Sequence, residues 1–195
     1  MVVTPQKVGV LVIFIIVLIV LIKLIVPEIN YTISSIDNVQ YLVRNLPDKD
    51  KASDMLATIN MKIQHLIKSL NDDKDDYSEY AEYINQLTRR IKGVTISESA
   101  KYSKYTSYSV NKGDEIVFCL RSNDTNKMHD INLLMYVALH ELAHVACPEF
   151  GHTRLFKKIF AFLTKQGIKI GIYNKIDFNS EPTEYCGMII TESII

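Results

Sequence analysis

The spacing of apolar positions along this chain changes several times, and each change marks an element. From Val8 to Val26 they run together as VGVLVIFIIVLIVLIKLIV, with Lys23 the one charge. At ~1.5 Å per residue such a run spans roughly the ~30 Å hydrocarbon layer of a bilayer. The pattern predicts a transmembrane anchor over 8–26 behind a short flank, 1–7. A cleaved signal peptide competes with this reading, but the run exceeds the usual signal core and no small-x-small site follows in PEINYTIS. Lys7 on one side faces Lys23 and Arg44 on the other, so orientation stays open.

Pro27 to Asn38 reads as a polar juxtamembrane linker, and Tyr41 to Leu46 as a short apolar entry of unsettled strand or helix character. Ala52, Met55, Leu56, Ile59, Ile63, Leu66, Ile67 and Leu70 then recur at three and four, an amphipathic helix stopped by NDDKDD. Tyr80, Tyr83, Ile84, Leu87 and Ile91 repeat that spacing up to Gly93. His65 lies off the first stripe, where a solvated position is the simplest reading. From Thr106 to Arg121, β-branched and aromatic residues flank Asn111-Lys112-Gly113-Asp114, which predicts a β-hairpin. Ile131, Leu134, Met135, Ala138, Leu139 and Leu142 give a further helix with Asp130 placed to cap it. Pro148 and Gly151 break the chain, Thr153 can cap again, and Leu155, Phe156, Ile159, Phe160 and Leu163 form a last apolar face up to Gly167. The tail reads as loop, with a turn at Tyr185-Cys186-Gly187-Met188 and a short apolar run after it.

Composition narrows the function. Acidic and basic residues balance at 22 each, so no overall field draws the chain to nucleic acid. Three cysteines, Cys119, Cys147 and Cys186, are too few and too scattered for a zinc knuckle, and the simpler reading is a reduced compartment. N-x-T triplets at Asn30 and Asn123 do not decide topology.

Three of the five histidines fall within HELAHVACPEFGH, His140 to His152. His140 and His144 are one helical turn apart, so both imidazoles project from one face and can converge on an ion. Glu141 occupies the neighbouring sector, where a carboxylate can take a proton from water beside the metal. A hydrolytic zinc site needs a third protein ligand. His152 is the candidate, brought back by the break at Pro148 and Gly151, with Glu149, Glu181 or Glu184 as carboxylate alternatives. Cys147 and Cys186 could approach the same ion, though a buried apolar role suits Cys147 as well.

HELAH followed by GHTRLFKKIF resembles the minigluzincin-type zinc proteases of the WLM and SprT-like group, whose third histidine opens an aromatic-rich helix. YLVRNLPDK, SYSVNKGDEIVFCLR, HDINLLMYVALHELAH and YCGM together resemble small metallopeptidases of large DNA viruses that also carry an N-terminal apolar segment. Seven residues separate His144 from His152, where the common WLM spacing has five. The resemblance implies a zincin-like fold, one Zn2+ held by His140, His144 and His152, and Glu141 as the catalytic base. It also implies an edge strand beside the metal, within Ser107–Val110 or Glu115–Arg121, that pairs with extended substrate. Tyr185 or Tyr173 would steady the oxyanion, and Met188 would floor the metal as a Met-turn does.

The expectation is therefore an α+β, zincin-like single domain over 39–195 behind a membrane anchor. Its activity would be hydrolysis of a protein or peptide substrate near a host or virion membrane that the chain crosses once, with no nucleic-acid partner. A DNA-directed repair protease fits the balanced charge poorly. The alternative from another class is a catalytically silent protein of a membrane that zinc merely stabilises.

Overall fold

The computed structural model describes residues 8–9, 11–18, 27–101 and 103–195. The expected anchor over Val8–Val26 lies in part outside the described residues, which leave out 10 and 19–26. Among those described, no helix is long and apolar enough to cross a membrane.

The remainder is mixed α+β. Strands β1 (Ile29–Ile33), β2 (Gln40–Arg44), β3 (Thr95–Glu98), β4 (Tyr108–Val110) and β5 (Glu115–Phe118) form one sheet in the order β1-β2-β3-β5-β4. The centre is parallel, β2 with β3 and β3 with β5, while β1 and β4 pair antiparallel at the two edges. The stretch expected to be a linker thus contains β1. INYTI carries β-branched and aromatic residues and finds a partner in QYLVR, which settles Tyr41–Leu46 as mostly strand. The sequence pattern did not reveal β3, whose TISE is too short and polar to display a period.

Helix α1 (Lys49–Asp72) crosses from β2 and packs along β1 to β3, with Leu56, Ile59, Ile63 and Leu66 completely buried. Each such side chain contributes ~1.5–3 kcal/mol of gross burial. His65 is exposed, as its position off the stripe requires. The acidic run ends α1, continues as a 3-10 segment over Lys74–Tyr80, and leads into α2 (Ala81–Arg90). Helix α3 (Ile131–Ala146) lies against α1, α2, β4 and β5, and α4 (Arg154–Lys169) packs on α3. Both predicted caps form: Asp130 accepts from the Asn132 amide, and Thr153 from the Phe156 amide. The tail closes with a hairpin of β6 (Thr183–Tyr185) and β7 (Met188–Ile190), turning at Cys186-Gly187, both with positive φ.

Two interactions fasten this frame. Cys119 at the end of β5 and Cys186 in the β6–β7 turn form a disulfide, while Cys147 is a free buried thiol. This corrects the expectation of three reduced cysteines, because only the fold brings together two residues 67 positions apart. The second is a buried charge cluster. Arg121 donates from Nε to Glu98 (2.8 Å) and from Nη1 to Asp48 (2.6 Å), and the other Glu98 oxygen accepts the Arg44 amide (2.7 Å). Asp48 therefore stands at the start of α1 without capping it.

Glu98→Ala would leave the Arg121 guanidinium, whose side chain is 1% exposed, with Asp48 as its remaining carboxylate partner. A loss of ~3–5 kcal/mol in urea unfolding is expected; a loss below ~1 kcal/mol would mean that solvent already serves this charge.

Candidate metal centre

Helix α3 is buried along nearly its whole length, so most of its residues are apolar. His140, Glu141 and His144 interrupt that pattern at the face turned to a cleft of about 460 Å³. After Ala146 the chain leaves the helix at Cys147, turns through Gly151 (φ 78°) and returns His152 to the same place. The Nε2 atoms lie 3.2 Å apart between His140 and His144, 3.2 Å between His144 and His152, and 3.0 Å between His152 and His140. Three nitrogens bound tetrahedrally at the usual zinc distance stand ~3.3 Å apart. The donor set and its spacing therefore fit a zinc ion. Among the described residues these three form the group placed to hold a metal. Glu149, Glu181, Glu184 and Cys147 are not in it, and Cys186 is spent in the disulfide.

Burial first, and then each other's charge, pull the His140 imidazole down to about 3. Burial together with His152 and Lys112 brings His144 down to about 4. Both rings are consequently neutral and able to donate lone pairs far below neutral pH. The floor beneath them is Phe156 of α4, its ring centroid 4.2 Å from that of His144, 5.0 Å from His140 and 4.9 Å from His152. Phe156 is the aromatic residue four beyond His152, a position visible in the sequence but not in this role.

Glu141 is buried, which pushes its carboxyl up to about 7, opposed by a hydrogen bond from the backbone N–H of Ser109 on β4. It faces two cavities, the first shared with all three histidines and a second of about 540 Å³ shared with His144. Tyr185 lines the first cavity, its phenol hydrogen-bonded to Ser107 Oγ, which also accepts the Cys119 amide (3.0 Å). Burial raises this phenol, so it stays protonated and able to donate. Tyr173 is elsewhere: it packs against Tyr136 and its oxygen accepts from the Ile176 amide, so it takes no part in the cleft lining. Met188 does line the cleft, but half-exposed on β7; the side chain stacked under the histidines is Phe156.

The loop that carries His152 is held by partners that sequence reasoning did not single out. Lys112, in the β4–β5 turn, donates to the carbonyls of Cys147 (2.8 Å), Pro148 (2.7 Å) and Glu149 (3.0 Å), and lies 4.1 Å from the Phe150 ring centroid. Arg90 donates to the Val145 carbonyl (3.0 Å), and Gln86 to that of Ala146 (2.7 Å). Gly113, at φ 127°, lets this turn approach: a Cβ there would lie 3.1 Å from the Arg90 carbonyl oxygen and 3.2 Å from Val145.

No protein-family profile matches the chain. The chain is 48% identical over 168 residues to the uncharacterized protein R325 of Acanthamoeba polyphaga mimivirus, covering 86% of this chain and 85% of R325. The chain belongs to the R325 family. Shorter stretches of the chain are similar to protein 136R of invertebrate iridescent virus 6, 40% identical over 72 residues, and to 042R of invertebrate iridescent virus 3, 43% over 68. These cover 35% of the chain, and 39% and 42% of the respective viral proteins. Among solved structures, Wss1 from Saccharomyces cerevisiae aligns with 67% of this chain and 88% of its own, at 18% identity and a TM-score of 0.44.

Lys112→Met removes the cation from three carbonyls and frees the loop of His152. Competition titration against a zinc chelator is expected to show affinity lower by ~10–100-fold; unchanged affinity would show that the loop needs no such pin. The raised carboxyl of Glu141 sets a second expectation for the metal-free protein. A carboxyl at about 7 when folded and 4.5 when unfolded holds its proton longer in the native state, so stability falls as pH rises from 4.5 through 7. The histidines act oppositely, losing stability as pH falls below 6.5, but equally in wild type and Glu141→Gln. Chemical unfolding should find Glu141→Gln more stable by up to ~3 kcal/mol at about pH 8 and little different at about pH 5; a gap that widens in acid would contradict the burial argument.

Proposed function

We propose that this chain is a zinc-dependent peptidase, tethered to a membrane through Val8–Val26, that hydrolyses peptide bonds of proteins near that membrane. The observation that carries the reading is the convergence of three Nε2 atoms beside the buried carboxyl of Glu141 at the wall of a cleft. His140, His144 and His152 hold the ion. When bound, zinc supplies Lewis-acid polarisation of the carbonyl and a lowered pKa for water, and its charge draws Glu141 toward the carboxylate form. Glu141 takes the proton of the attacking water, oxygen bonds to the carbonyl carbon, and the same carboxyl returns the proton to the amine nitrogen as the C–N bond breaks. The Tyr185 O–H donates to the oxyanion, oriented by Ser107.

Substrate pairs with the outer edge of β4. The first cavity adjoins Thr106 and Ser107 and the second Tyr108 to Lys112, so an antiparallel partner runs from the second to the first. Residues after the scissile bond thus meet the wall of Tyr136, Val137, Phe160 and Ile190, which favours a large apolar side chain there. A purely structural zinc site closes with four protein ligands. Among the described residues the cluster has three, and the cleft adjoins it, which favours the enzyme.

The test compares full-length wild type with Glu141→Gln in detergent. Both are expected to bind about one zinc, while cleavage of an unstructured peptide mixture falls by roughly 10²–10⁴ in the variant. Undiminished cleavage by the variant would remove Glu141 from the chemistry. Zinc-loaded wild type that cleaves nothing would favour the structural alternative.

A further inference from the structure

The second cavity, of about 540 Å³, differs from the first in charge. Arg90 and Lys112 both line it, whereas among the described residues the lining of the first has no lysine or arginine and includes the exposed Glu192. Hydrogen bonds fix where the two charges lie. The Arg90 guanidinium is 3.0 Å from the Val145 carbonyl, one residue past His144, and the Lys112 ammonium is within 3.0 Å of the carbonyls of Cys147, Pro148 and Glu149. Both cations thus lie along the chain between His144 and His152, and both side chains are half-buried rather than enclosed.

Neither cation has an anion. Among the described residues no carboxylate forms an ion pair with Arg90 or Lys112. Burial, and then the charge of Arg90, hold the Lys112 ammonium below the usual lysine value, so the two repel and no side chain relieves them. Glu149 shares the lining but is exposed, and it gives Lys112 its backbone carbonyl rather than its carboxylate. Glu141, the other carboxylate there, accepts from the Ser109 amide. The Lys112 ammonium has given all its protons to the loop carbonyls and offers charge alone, while the Arg90 guanidinium has given one N–H and keeps the rest of its planar fork.

We infer that the second cavity is a subsite for an acidic side chain, and that the peptidase proposed above, on which the direction of the bound chain rests, selects aspartate or glutamate within the two residues before the scissile bond. An antiparallel partner of β4 enters from this cavity, so its earlier residues pass Arg90 and its later ones meet the apolar wall and Glu192. The guanidinium receives the carboxylate in a charge-assisted, two-point pair, and Lys112 adds attraction without competing for geometry. A lysine in the same place would face two cations, and an acidic residue after the scissile bond would meet a carboxylate. The preferred substrate is therefore an extended segment with an acidic residue followed by a large apolar one.

The test uses full-length, zinc-loaded protein in detergent and the peptide hydroxamates acetyl-X-Ala-NHOH and acetyl-Ala-X-NHOH, whose hydroxamate grips the ion and holds X on the side before the scissile bond. Such ligands need zinc but no cleavage. In at least one series glutamate at X is expected to bind tighter than glutamine by roughly 3–10-fold, and lysine weaker than either. Arg90→Gln should bring the ratio of glutamate to glutamine within about twofold, and Arg90→Glu should turn the preference toward lysine. A loop merely loosened by the substitution would weaken every ligand alike and leave that ratio in place. In wild type the ratio should also shrink when salt is raised about tenfold. A ratio near one in wild type, a ratio unmoved by Arg90→Gln, or hydroxamates that bind no better with zinc than without it would each overturn the inference. A preference for glutamate in a protein that cleaves no peptide would uphold the subsite and sink the peptidase assignment, so the two fail separately.

Discussion

The carbonyl groups of Val145 and Ala146, in the last turn of α3, have no following turn of helix to accept from, and both residues are buried. Left alone they would cost several kcal/mol and the helix would fray back toward His144. Instead Arg90, Gln86 and Lys112 donate to the carbonyls from Val145 through Glu149, two of them cations matched to the negative end of the helix dipole. With these groups satisfied, the chain can leave the helix abruptly, turn within a few residues and set His152 against two histidines fixed by the helix itself. Removing that satisfaction would not break a ligand; it would remove the geometry in which three ligands meet.

The same end of the molecule shows how burial and chemistry are reconciled. An imidazole trio within about 3 Å would be intolerable as cations, and desolvation keeps the two helical rings neutral. Glu141 suffers the opposite pressure, its carboxyl held protonated into the neutral range. A dication held by the three histidines would relieve it. Phe156 closes the underside with a ring that offers no competing donor or acceptor.

What could be read from the sequence was whatever has a period or a cap. The stripes of α1 to α4, the Asp130 and Thr153 caps and the Asn-Lys-Gly-Asp turn are local, and local physics writes them into neighbouring residues. The pair His140 and His144 belongs to that class, since helix geometry alone aligns them. Strand β3 was invisible because TISE is ordered by its neighbours on both sides rather than by its own residues. Strand β1 hid within a segment that looked like a tether, and the disulfide could not be foretold because 67 intervening residues decide whether two sulfurs meet. Lys112 was read only as a turn residue. Its three carbonyls lie some 35 positions away, and no spacing rule connects them.

Strand β1 opens at Ile29, three positions beyond Val26, and the backbone there is already engaged: the Asn45 amide donates to the Glu28 carbonyl (2.8 Å) and Asn45 Nδ2 to that of Pro27 (3.3 Å). Almost no slack separates the apolar run from the sheet. The metal centre sits beside β4, at the far edge, four strand spacings or ~19 Å away across the sheet. With the apolar run in a bilayer, the cleft would work on a leash a fraction of the length of a flexible linker. It would sweep a thin shell of space at a nearly constant radius from its anchoring point, giving a neighbour anchored in the same bilayer a high effective concentration there and withholding it from chains that never come that close.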